Sequence, residues 1–170
     1  MSWLLRLGGV FVVAGLQLSL FGHLRIFGVE PNLMLILVVL TALWANATPA
    51  LATAVGGGIL MDLASGSDFG LRTAFLTAIC LAIIAVKQLG AHTESLWAAL
   101  AAITVGTLVF DLLVVASSGA GHIQAGYVAS IIGRELVLNI VITTGVYLLR
   151  VLVIDRRQQV SNELQRGSWI

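Results

Sequence analysis

Long apolar runs separated by short polar connections make up most of the chain, at about residues 3–22, 33–47, 49–64, 73–88, 95–117 and 127–153. A helix that crosses a hydrocarbon core of roughly 30 Å needs about 20 residues. The first, fifth and sixth runs reach that length. The second, third and fourth are shorter, so they are expected to tilt little, to thin the bilayer locally, or to enter it without crossing. Only Asn46-Ala47-Thr48-Pro49 separates the second run from the third. Proline suits the first position of a helix, so the two runs read as a helical hairpin. Both ends of such a hairpin lie on one side of the membrane whether or not it spans. The pattern predicts an all-α, polytopic bundle of about six transmembrane helices over residues 1–154, followed by a short polar tail, 155–170, that extends the last helix.

Composition strengthens this reading. Hydrophobic residues make up 59% of the 170 and charged residues 10%, with a mean hydropathy of +1.03. Soluble domains carry roughly 25% charged residues, so this chain lacks the polar cover that a water-exposed surface requires. Most of the surface is therefore expected to face lipid, and a net charge of +1 argues against a nucleic-acid partner. The single cysteine, Cys80, lies inside an apolar run, which excludes a disulfide framework. The first run could pass for a secretory signal, but Phe21-Gly22-His23 at its end lacks a small-x-small cleavage pattern, so it is expected to be a retained span.

Basic residues set the orientation. With six spans, Arg6, Lys87, Arg150, Arg156, Arg157 and Arg166 share one side, and Arg25 and Arg72 the other. The side richer in Lys and Arg is normally cytoplasmic. Trp3, Trp44 and Trp97 fall at the same ends, where indole rings favour the interface. Both termini are therefore expected in the cytoplasm, with the Arg156-Arg157 pair anchored among lipid headgroups.

Ionisable groups inside spans are costly and need a partner or a purpose. Asp62, Asp111, Arg134 and Glu135 come from three runs and fall at matching depth towards the outer side, with Gln17 of the first run nearby. Two readings stand. One is an interhelical network that fixes helix order, for example Asp111 or Asp62 with Arg134. The other is a polar pocket, open to the outside, that takes a ligand or a partner's side chain. Arg134 and Glu135 lie about 100° apart on a helix, so they cannot both face one neighbour.

Ala50, Ala54 and Gly58 recur every four residues beside Gly56 and Gly57, a pattern that permits close helix approach. The connection from Asp62 to Gly70 suits a capped turn, with Ser67 or Asp68 near the start of the following helix. It lacks the alternating oxygen ligands of a calcium loop. His23, His92 and His122 have no metal-ligand spacing, and no Gly-x-Ser-x-Gly occurs. No catalytic residue, cofactor site or metal site is expected.

Two stretches carry a resemblance. Glu30-Pro31-Asn32-Leu33-Met34-Leu35-Ile36-Leu37 resembles the "Pro-Asp/Asn-Leu-Leu-Leu" start of the second span in the rod shape-determining protein MreD family. Gly57-Gly58-Ile59-Leu60-Met61-Asp62-Leu63-Ala64-Ser65-Gly66-Ser67-Asp68-Phe69-Gly70-Leu71-Arg72 resembles that family's "Gly-x-x-x-Asp-x-x-Ser-Gly-x-x-x-Gly-x" block. Order and the 26-residue spacing from Pro31 to Gly57 make the two more specific together than apart. The likeness covers residues 30 to about 76, and beyond that it is one of hydropathy. It implies a non-catalytic subunit of the bacterial cell-elongation machinery. Such a subunit binds the bitopic MreC protein and, through it, MreB filaments, the RodA glycosyltransferase and a class B penicillin-binding protein. Pro31, Asp62, Gly66, Gly70 and Arg72 are the positions it marks for structure or partner binding. Asn32 stands where many members carry Asp.

The competing expectation is a substrate-binding S component of an energy-coupling-factor vitamin transporter, also a six-span protein of this size. In those proteins an Ala-x-x-x-Ala face on the first helix docks the coupling subunit. The first run here, Gly8-Gly9-Val10-Phe11-Val12-Val13-Ala14-Gly15-Leu16-Gln17-Leu18, lacks it.

Overall fold

The structure, a computed structural model, describes residues 12, 13, 15, 17, 28–65, 70–90, 95–117 and 125–167. Among these are five helices and no strand: α1 (Leu33–Trp44), α2 (Ala47–Ser65), α3 (Leu71–Gln88), α4 (Leu96–Ser117) and α5 (Ala125–Gly167). The four from α2 to α5 are long and apolar enough to cross a membrane, so the chain is a membrane protein by the length and composition of its helices. The expected first span lies outside the described residues except for Val12, Val13, Gly15 and Gln17. Five helices, rather than six, are therefore what the described residues contain.

The second apolar run departs most from a plain span. α1 has 12 residues, about 18 Å at 1.5 Å per residue, well short of the hydrocarbon thickness. It is also the helix most enclosed by the others. Met34, Leu35, Ile36, Val38, Val39, Leu40, Ala42 and Leu43 are all buried. Ala50 and Ala54 of α2, Phe75, Leu76 and Cys80 of α3, and Ala99 and Ile103 of α4 join them in the apolar core. Burial then falls along the later helices, from 39% of Ala47–Ala64 in α2 to 11% of Gly126–Val153 in α5. Val105, Leu108 and Leu112 of α4 and Val137, Val141 and Leu149 of α5 are exposed, as lipid-facing side chains should be.

Contacts at the two ends fix the helix directions. Asn32 at the start of α1 meets Asn139 of α5, and Trp44 at its end packs on Tyr147, with the Arg150 guanidinium 4.1 Å above its ring. α1 and α5 therefore run the same way. Lys87 near the end of α3 reaches the end of α1, so α3 runs with them. The end of α2 meets the start of α3, and α2 runs in reverse.

Small residues set the tightest spacings. A Cβ at Gly58 would overlap the Thr73 Cα of α3, and one at Gly57 would overlap the Met34 sulfur of α1. On α4, a Cβ at Gly106 would come within 3.1 Å of Ile79 and 3.3 Å of Leu35. The small-residue face of α2 is thus used for packing inside the bundle. Pro49 sits at the third position of α2 rather than the first, because the helix already begins at Ala47. It remains in the first turn, where the missing N–H is no loss.

Candidate functional site

The charged end of the bundle is built around Asp62. Gly70 precedes α3 in the left-handed region, at φ 99°, and supplies no side-chain cap. The first N–H groups of a helix have no partner within it, and in lipid they cannot turn to water. Asp62, in the last turn of α2 and only 2% exposed, meets that need. Its carboxylate accepts from the N–H groups of Gly70 at 3.0 Å, Arg72 at 3.1 Å and Thr73 at 3.1 Å. It also accepts from the Thr73 hydroxyl at 2.6 Å. A negative charge at a helix N-terminus is further favoured by the helix dipole. The cap expected from Ser67 or Asp68 falls on residues outside those described, as does Gly66; the capping bonds seen here come from the preceding helix instead.

A second polar lattice holds α1. The Asn32 side chain accepts from the Leu35 N–H at 3.0 Å, and Gln17 Oε1 accepts from the Met34 N–H at 2.8 Å. The Asn32 N–H donates to Asn139 Oδ1 at 2.9 Å, and Asn139 Nδ2 donates to Thr107 Oγ1 at 3.0 Å. Asn139 and Thr107 are fully enclosed. At the opposite end, Lys87 Nζ donates to the carbonyls of Leu43 at 2.9 Å and Ala45 at 3.1 Å. The short helix therefore has side-chain partners at both termini. Sequence reading missed Asn139 and Thr107. The available signal was a lone Asn in the apolar run Leu136-Val137-Leu138-Asn139-Ile140-Val141.

Between these two lattices lies a cavity of about 250 Å³ lined by Gln17, Glu30, Asn32, Met61, Arg72, Phe110 and Glu135. The outer polar cluster expected from sequence is thus distributed. Asp62 serves the α3 cap, Arg72 lines the cavity with Glu135, and Asp111 and Glu135 face a second groove between α4 and α5. Arg134 is exposed, and its guanidinium lies 4.0 Å from where a Gly28 Cβ would stand. Arg134 and Glu135 face different ways, as their angular separation requires. Pro31 is fully buried ahead of α1.

Among the described residues, no group of three or more His, Cys, Asp or Glu could hold a metal ion. His23, His92 and His122 lie outside them. The arrangement offers hydrogen-bonding and charged groups around a half-open cavity, which suits binding. Compared with known proteins, the chain matches no family model, no curated protein and no solved structure.

Proposed function

We propose that this chain is a non-catalytic scaffold subunit of the bacterial cell-elongation machinery, resident in the cytoplasmic membrane, with both termini in the cytoplasm. On this reading it binds the single-span MreC-type protein and thereby joins MreB, RodA and a class B penicillin-binding protein. One observation supports it above others. The two stretches that resemble the MreD family converge in space, since Asn32 from the first and Met61 and Arg72 from the second line one cavity. Asn32 caps α1, and Asp62 caps the start of α3 after Gly70. Residues that build a shared framework leave partner binding to the outer loop between α2 and α3 and to the exposed apolar helix faces.

The test is to tag the C-terminus, extract the protein from native membranes in mild detergent and identify the co-purifying chains by mass spectrometry. Recovery of MreC with wall-synthesis proteins is expected. Asp62→Ala should lower that recovery, because the start of α3 loses its cap and its tie to α2.

The transporter S component is the second reading, and the polar cavity favours it. A space of about 250 Å³ edged by Gln17, Glu30, Asn32, Arg72 and Glu135 has the mixed lining of a small-ligand site. Recovery of coupling-factor ATPases, or of a tightly held vitamin, would replace the scaffold reading with this one.

A further inference from the structure

Glu135 stands between two spaces. On one side it borders the polar cavity with Arg72. On the other it faces Asp111 across a groove of about 240 Å³ between α4 and α5, walled by Val115, Tyr127, Val128 and Ile132. Asp111 is 9% exposed, and its Oδ2 has no hydrogen-bond partner among the described residues. Asp111 and Glu30 are the acidic groups near Glu135, and the cation Arg72 lies with it on the cavity side, away from the groove.

Two carboxylates brought together at a buried, apolar place repel each other and lack the solvation that would offset the repulsion. Such a place calls for positive charge. A hard metal ion fits poorly, because it takes six or more oxygen ligands and the groove walls are hydrocarbon. An organic cation fits both halves of the lining. Its charged head can meet the carboxylates while its body displaces water from the aliphatic wall. The volume is below that of drug-sized pockets, which restricts the body to a single ring or short branched chain.

We propose that the groove between α4 and α5 binds a small organic monocation, a primary ammonium on a compact apolar body. The ammonium lies between Asp111 and Glu135, and the body lies against Val115, Val128 and Ile132. Tyr127, exposed at the rim, offers an aromatic face to the same cation. The site does not depend on the scaffold reading, since neither Asp111 nor Glu135 belongs to the stretches that carry the family resemblance.

The test uses the full chain in non-ionic detergent, titrated calorimetrically with 2-phenylethylammonium and with 2-phenylethanol, a neutral molecule of nearly the same shape. The ammonium should bind about tenfold or more tightly than the alcohol, and Asp111→Asn and Glu135→Gln should each weaken it by a similar factor. Val128→Trp fills the groove without touching either carboxylate and should abolish binding, which covers the case of a carboxylate variant that fails to fold. Equal binding of amine and alcohol would reduce the groove to an apolar cleft. Failure of the wild-type chain to bind the amine at millimolar concentration, or binding indifferent to all three substitutions, would overturn the proposal.

Discussion

Asp62 accepts from three backbone N–H groups and one hydroxyl, so its removal leaves four donors unmatched at once. Hydrogen bonds to a charged group contribute about 1.5–3 kcal/mol each, and a buried unmatched donor carries its full desolvation cost. Bonds that share one acceptor do not add, so Asp62→Ala should destabilise the bundle by about 2–4 kcal/mol, while Thr73→Val, which removes one donor, should cost about 1 kcal/mol. Thermal unfolding in detergent measures both. Equal effects from the two variants would mean that the three backbone bonds add nothing beyond the Thr73 hydroxyl. Asp62 was legible in the sequence as a carboxylate inside an apolar run. Its task was not, because capping rules look to the residue just before a helix, and here the acceptor lies eight residues upstream of its first donor. Asn139 and Thr107 were less legible still. Neutral side chains in an apolar run carry no charge to attract notice, and only the fold sets them opposite each other.

The shortest helix shows the same logic on a larger scale. Lipid is as apolar as leucine, so water-driven burial does not hold helices together in a membrane, and close packing and polar links do. α1 has both. Gly57 and Gly106 let α2 and α4 approach it, and Gln17, Asn32 and Lys87 satisfy its ends. The length of the second apolar run revealed that it need not cross. Lys87, by contrast, read from sequence only as a marker of the cytoplasmic side, since nothing local ties it to a carbonyl 44 residues away. Lys87→Met keeps the bulk of the stem but leaves the Leu43 and Ala45 carbonyls without their donor. Amide exchange in the last turn of α1 should then accelerate by about tenfold or more, the equivalent of about 1–3 kcal/mol of lost local protection. Lys87→Arg, which keeps a donor, should restore much of it. Exchange mass spectrometry on peptides spanning residues 38–47 reads the difference.

Over the whole molecule, chemistry separates to the two ends of the bundle. Trp44, Lys87 and Arg150 gather at one, and Glu30, Arg72 and Glu135 at the other. Alternating helix directions follow from the apolar runs and their connections, so this much of the architecture was readable from hydropathy alone. The meeting of particular side chains across helices was not. The proposed orientation, argued from the preference of positive residues for the cytoplasmic side, has the Lys87 end inside and the cavity and the α4–α5 groove outside. Cys80 is fully buried, so the wild-type chain should resist a membrane-impermeant maleimide and provide a clean background. Leu89, exposed at the end of α3, and Gly126, with nothing within 4 Å of an added Cβ near the start of α5, then serve as reporters. In intact cells Gly126→Cys should label, and Leu89→Cys should label only after the membrane is opened. The reverse pattern would invert the protein and make both spaces face the cytoplasm. Labelling of both from one side would contradict the helix directions themselves, because Leu89 and Gly126 are separated by α4 alone, and one crossing must put them on opposite faces.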